Sequence, residues 1–567
     1  MFGLKERRAE TRTEERVNAK ARTIGMILLM IALPVLIVFL TFRLQFRQLV
    51  DTDVMDMAQV ARNLANSRGF VTSAVRPIAL TIHKDAQTMP DMIHAPLYPM
   101  AMAVTLATNA SDNRVFVTAA LFFLLTIPVL YALTKAMFNQ KAAYLTLFAY
   151  VTSTLMLGVL STASAGPMLA FLFTSLCLAM FRFAQYAAPS EGNVPDRKRA
   201  TRFAALVGFL AALCYLTDYL LLFAFLPVAA FVFLMGGPLR KQALGAFLIA
   251  FLVAAGPWWI RNMMVGVNPF FGLRTLEIGM VTSTYPGVSL YRSTTPHTTL
   301  GLLQELKLEV LRKMGLGMVN AYQQLSSLGT PYLMAFFIVG LFYSFRRTGV
   351  NAVRGFIIAS FLCVMLFGSM FLLQTNTLAA FVPVLLGFAA AYFVRLVTDA
   401  RFPTLVGRAI MTLAVIVFAV PMITRFSLVR APQVPHQIES IVAAKVAPGV
   451  PVLTDRVSEM AWYGSRTSIW LPVTEKDIQN LDAIQKQGAV YLSRFIPSYG
   501  GTEFDVWKGF YGNAARGLNE GQFMKVSGKT LSGLALYRDM TEEETLPFRQ
   551  NGALLFMRPE GVRSSAN

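Results

Sequence analysis

The chain has 567 residues, 55% of them hydrophobic and 14% charged, with a formal net charge of +20 and a mean hydropathy of +0.52. So few charged residues exclude a soluble globular protein, in which about a quarter are usually charged. The excess of lysine and arginine would ordinarily point to nucleic acid, but here it lies in short loops between apolar runs, where it orients a chain in a bilayer; nucleic acid is excluded as a partner.

Residues 1–23 form a basic tail carrying Lys5, Arg7, Arg8, Arg12, Arg16, Lys20 and Arg22. The apolar run behind it, 24–44, is too long for a signal-peptide core and reads as an uncleaved anchor with the tail in the cytoplasm. Roughly eleven runs approach the ~20 residues needed to cross a bilayer. They fall near 24–44, 114–137, 143–160, 167–186, 203–217, 219–236, 243–261, 331–345, 355–373, 378–395 and 408–425. The two that meet at Thr217 and Asp218 could equally be one broken helix. Loops assigned to the inside are basic: Lys135 and Lys141; Arg197, Lys198, Arg199 and Arg202; Arg240 and Lys241; Arg346, Arg347 and Arg354; Arg395, Arg401 and Arg408. The short outer loops at 161–166 and 374–377 carry no charge. This is the positive-inside pattern, and an odd number of crossings then places the N-terminus inside. The loop 45–113, the segment 262–330 and everything after about residue 430 share the outer face.

Within the spans lie Cys177, Cys214 and Cys363, without metal-ligand spacing or a disulfide framework, and the four histidines at 83, 94, 297 and 436 are scattered. The region 431–567 changes character. Strand-like runs at 451–455, 467–472, 489–494 and 534–539, with a helical stretch at 475–488, predict a small α/β domain.

The first outer loop opens on three carboxylates, Asp51, Asp53 and Asp56. Acids are costly beside lipid, so a cluster there suggests work on a polar substrate. Val54, Met57, Ala58, Ala61, Leu64 and Ala65 fall on one helical face, while Asp53, Asp56, Arg62, Asn63 and Asn66 lie away from it. The spacing predicts a helix lying along the membrane with its polar face in water. A purely structural reading has Asp51 or Asp53 capping this helix and Asp56 completing the cap, worth about 1 kcal/mol. Further on, HAPLYP (94–99) sets a rigid bend, with Tyr98 as an interfacial aromatic.

Taken in order, AQVARNLA (58–65), HAPLYP (94–99) and PWWIRNMMVGVNPFF (257–271) resemble the motifs of the membrane-embedded GT-C glycosyltransferases. The similar group is the bacterial family 39-like enzymes, related to protein O-mannosyltransferases and the aminoarabinose transferase of lipid A. VLTDRVSEMAWYGSRTSIWLP (452–472) also looks like their outer domain. The resemblance implies a mainly α fold. It comprises a polytopic GT-C-like membrane domain over 24–430, with amphipathic outer-loop helices, and an extracytoplasmic α/β domain over 431–567. It places Asp53 on the family's catalytic aspartate. The chain departs from the pattern in three places. Ser164, Ala165, Gly166 and Pro167 stand where many relatives have an acid; Asp56 and Met57 replace an aromatic pair; Asn376 and Thr377 replace an Arg-Tyr pair.

What the resemblance implies is a hexosyl or pentosyl transferase in the bacterial inner (plasma) membrane. A sugar on a polyprenyl phosphate would pass, with inversion, to a hydroxyl of a lipid, glycan or protein acceptor at the outer face. Asp53 would be the general base. Asp51, Asp56, Arg62, His94, Tyr98, Arg261 and Asn262 would contact substrate, with Arg62, His94 and Arg261 as candidates to meet the anionic leaving group. Arg261 also reads as a plain anchor beside Trp258 and Trp259, and Asp218 as an interfacial turn residue or a substrate contact. No cofactor is certain; Asp51 could orient Asp53 or help hold a divalent ion. The rivals are a transporter or lipid flippase, and a polymerase or ligase of lipid-linked glycans; the acids lie outside the membrane and no matching halves are seen, against a transporter.

Overall fold

The computed structural model describes Gly25 and residues 28–187, 195–324, 331–345, 348–431, 436–485, 488–496, 506–508, 510–511, 523–526, 529–537 and 540–558. The whole predicted basic tail, 1–23, and Arg346 and Arg347, lie outside the described residues.

Every predicted span contains helix. Among the described residues, seven helices are long and apolar enough to cross a membrane, and the bent pair Gln140–Thr152 and Thr154–Ser161 makes an eighth. The remaining predicted spans are shorter helices, Met30–Gln45, Tyr219–Met235 and Pro331–Gly340. Among the described residues, length and composition alone thus account for eight of the eleven expected crossings. The chain breaks where side chains compete for the backbone. Ser153 accepts from Met156 N at a 46° bend, and Asp218 accepts from Leu220 N after the Arg197–Thr217 helix. An apolar helix that the sequence reading missed, Leu97–Leu106, follows HAPLYP directly.

Lipid gives apolar helices no hydrophobic reason to associate, so close packing of small residues must supply it. Ala204, Gly208, Ala211 and Ala212 are buried on the Arg197–Thr217 helix. A Cβ at Gly208 would lie 2.1 Å from the Phe247 carbonyl oxygen, so only glycine permits this approach to the Arg240–Val265 helix.

At one end of the bundle sits a seven-stranded sheet in the order β1-β3-β2-β4-β7-β6-β5. Its strands are β1 (Ala74–Val75), β2 (Val452–Thr454), β3 (Ser468–Trp470), β4 (Ala489–Leu492), β5 (Phe523–Val526), β6 (Lys529–Leu536) and β7 (Leu554–Met557). The first four pair in parallel, joined by the helices Val457–Trp462 and Glu475–Ile484; the rest are antiparallel. The predicted α/β domain is present, but β1 belongs to the first outer loop. The segment 262–330 joins the same layer: Arg292 Nε donates to Leu471 O, and Thr294 N donates to Asp477 Oδ1. All three large non-membrane regions are thus welded at one end.

The loop helix Thr52–Ala65 forms, but much of its polar face does not meet water. Asp56, Gln59 and Asn63 are buried. Gln59 bonds Thr72 and Ser73, Asn63 bonds the Val71 carbonyl, and Arg62 donates to the carbonyls of Ala461 and Trp462. Polar groups that periodicity assigns to solvent are satisfied by the loop and the C-terminal domain.

Candidate active site

Asp51 is the N-cap of the Thr52–Ala65 helix, its carboxylate accepting from Asp53 N at 3.0 Å. Burial, and then the neighbouring Asp53 charge, push its carboxyl up to about 6. Asp53, in the first turn, keeps 33% of its side-chain surface exposed, and its Oδ1 lies 3.3 Å from His94 Nε2. The other ring nitrogen of His94, Nδ1, lies 2.7 Å from Asp91 Oδ2. Asp91 is buried and fixed by the backbone N–H groups of Ile93 and His94. With carboxylates at both nitrogens, the imidazole is held as the cation. Burial alone would lower its pKa, but Asp91 and the hydrogen bonds to Asp53 and Asp91 raise it to about 10. Burial likewise pushes Asp53 up, yet His94, Arg274 and Gln374 together hold its carboxyl below the usual carboxylate range.

The Pro-Trp motif buttresses this row. Trp258 Nε1 donates to Tyr219 OH, which donates to the His94 carbonyl at 3.0 Å. Gly272, at φ +56°, brings the following loop so close that a Cβ would lie 2.2 Å from Met92 O.

Two hollows meet at Asp53. The inner one, of about 50 Å³, is lined by His94, Asp218, Arg274, Glu277 and Gln374 together with Asp53. Its ions are paired with one another. Arg274 lies 3.1 Å from Asp218 Oδ1 and 3.1 Å from Glu277 Oε1; Thr377 Oγ1 donates to Asp218, and Tyr291 OH to Glu277. Burial would lower Arg274, but Glu277 and Asp218 raise it further above its ordinary value. Ala165 also lines this hollow, whose carboxylates are Asp53, Asp218 and Glu277. The outer groove, of about 730 Å³, is wider. It is lined by Asp51, Asp53, the hydroxyl residues Thr154, Ser161 and Thr162, apolar Leu155, Val159 and Leu373, and Arg425.

Of the residues singled out from sequence, Asp51, Asp53, His94 and Asp218 line the hollows, whereas Asp56, Arg62, Tyr98, Arg261 and Asn262 line neither. Asp56 pairs with Arg76 rather than completing the helix cap. Arg62 is a clamp, stacked 4.9 Å over Trp462 as well as bonded to that domain's backbone. Tyr98 is fully buried rather than interfacial, its OH donating to Ala163 O at 2.6 Å. Arg261 stacks on Trp258 and Phe70 and donates to Asn262 Oδ1, while Asn262 donates to Pro269 O. The sequence reading missed Asp91, Arg274, Glu277 and Gln374. An aspartate three residues before His94 was a usable signal for the first; no spacing pointed to the others. Among the described residues, no three His, Cys, Asp or Glu side chains are gathered as a metal site.

No family model matches the sequence, and no curated protein matches it. Solved structures do. ArnT from Cupriavidus metallidurans bound to undecaprenyl phosphate is similar at 13% identity, with 96% of this chain and 98% of that one covered and a TM-score of 0.56. Its apo state is similar at 13% identity, covering 95% and 99%, with a TM-score of 0.55. The Archaeoglobus fulgidus oligosaccharyltransferase tethered to an acceptor peptide is similar at 12% identity, covering 83% and 70%, with a TM-score of 0.50. At such identities the likeness establishes the fold. This is a multi-pass membrane protein of GT-C-like architecture.

Proposed function

We propose that the chain is a glycosyltransferase that moves a sugar from a polyprenyl-phosphate donor to an acceptor hydroxyl at the outer face of the membrane. The observation that carries this reading is Asp53: an ionised carboxylate, locked by a protonated histidine, where two hollows meet. Asp53 takes the proton of the attacking hydroxyl as the acceptor oxygen bonds the anomeric carbon, and attack from the side opposite the phosphate inverts that centre. A carboxylate with a lowered pKa is ionised throughout the neutral range, so proton transfer occurs late, as the acceptor oxygen becomes acidic.

His94 is the positioning cation for Asp53, and Asp91 the anchor for His94. Asp51 contributes to the groove wall. Asp56, Arg62, Tyr98, Arg261 and Asn262 hold the outer layer and the motif loops in place. The lipid class follows the similar ArnT structure, which holds undecaprenyl phosphate. Gathering of the loop 45–113, the segment 262–330 and the α/β domain at one end supports an outer-face site with a cytoplasmic N-terminus.

Asp53→Asn keeps the size of the side chain and removes the base. Envelope lipids, glycans and proteins from a deletion strain, compared by mass spectrometry after rescue with either form, test the reading. A base of this kind is worth about 10²–10⁴-fold, so the variant should insert normally and leave the missing glycoform unrestored. Full rescue would leave a flippase or transporter as the better account.

A further inference from the structure

We infer that Arg425 is the seat for the phosphate of the lipid-linked substrate. This rests on the transferase reading and adds to it a residue that neither the motifs nor the spacing assigned. A departing polyprenyl phosphate is an anion beside a carboxylate base, so the site requires a cation that is not already committed. His94 is held between Asp91 and Asp53, and Arg274 between Asp218 and Glu277. Arg62 and Arg261 lie outside both hollows. The guanidinium lining the outer groove is that of Arg425.

Its setting is that of a binding group. Nε donates to Gln45 Oε1 and Nη2 to Ser161 Oγ, both at 3.0 Å, so neutral partners orient the fork without neutralising it. Gly158, one turn before Ser161 on the same helix, packs beside the guanidinium: a Cβ there would lie 3.8 Å from its nitrogens, in ordinary contact. Arg425 is in the last turn of the Thr404–Leu428 helix, at the same end of the bundle as Gln45 and Ser161, each the last residue of its helix. Phe418 is the fully buried residue of the 405–428 helix; one face packs on the bundle and the other is open. The groove's apolar wall of Leu155, Val159 and Leu373 can therefore take a prenyl chain from the bilayer while Arg425 meets its phosphate.

In the step itself, the acceptor oxygen–carbon bond forms and the anomeric carbon–phosphate oxygen bond breaks. The hydroxyl proton goes to Asp53, and the electron pair leaves with the phosphate, where Arg425 faces the charge.

Binding of undecaprenyl phosphate, undecaprenol and inorganic phosphate to the purified full chain, read by native mass spectrometry, tests the assignment. Charge-assisted bonds of this kind imply that Arg425→Gln weakens undecaprenyl phosphate about ten- to hundredfold. Undecaprenol should be unaffected, Arg425→Lys should keep most of the binding, and Asp53→Asn should bind the phosphate lipid at least as tightly as the parent chain. Unchanged binding by Arg425→Gln overturns the Arg425 seat and leaves the transferase reading standing. A parent chain that holds the phosphate lipid no better than the alcohol overturns both. Equal occupancy by inorganic phosphate shows a free-anion site and overturns the lipid assignment.

Discussion

The two hollows beside Asp53 treat charge in opposite ways. In the inner one, each ion is matched: Arg274 between Asp218 and Glu277, His94 between Asp91 and Asp53. In the outer one, Arg425 is oriented by an amide and a hydroxyl. A buried ion pair is weak support for stability by itself, but removing one partner leaves a charge stranded in low dielectric. The same side-chain type therefore does different work on the two sides. Inside, guanidinium holds the fold around the base; outside, it is open to a ligand.

That contrast can be broken or sharpened by substitution. The largest effect belongs to Asp53, common to both hollows, where exchange to asparagine should cost about 10²–10⁴ in turnover with little change in melting temperature. Next, Arg274→Met strands Asp218 and Glu277 and should destabilise by about 3–5 kcal/mol, whereas Arg425→Met should leave the melting temperature nearly unchanged. Equal losses in thermal unfolding would erase the distinction.

A smaller effect is written in pH. His94, raised by its partners to about 10, contributes stability that is complete below its unfolded value of about 6.5 and lost as pH climbs through about 10. Melting temperature should decline across that window, and His94→Gln should flatten the decline. Smallest is Asp51, whose carboxyl is pushed up to about 6. A raised carboxyl takes up protons on folding, so its contribution is fullest below about 3.9 and erodes as pH rises through 6. Asp51→Asn keeps a good cap and should raise the melting temperature slightly at pH 7.5 but not at pH 4.

What the sequence revealed follows from the range of each interaction. Spans and basic loops are local patterns, and the motif order put Asp53 and His94 on the page together. The inner cluster was illegible because Arg274 finds Asp218 56 positions away, and Thr377 reaches the same carboxylate across 159. Helical periodicity gave the loop helix correctly and its surroundings wrongly, since a polar face looks the same whether its partner is water or protein. Strand β1, only two residues long, has no run to detect; its pairing with Ser468 and Ile469 creates it.

The Arg62 clamp also has a cost in time. Its carbonyl acceptors lie about 400 residues downstream, and at about 5–20 residues per second synthesis separates donor from acceptor by about 20–80 s. Through that interval Arg62 lacks its acceptors, although Asp56, Gln59 and Asn63 already have partners in residues 71–76. A nascent chain interrupted before residue 461 carries the base and its His94 partner, but the far end of the helix that bears the base is not yet pinned.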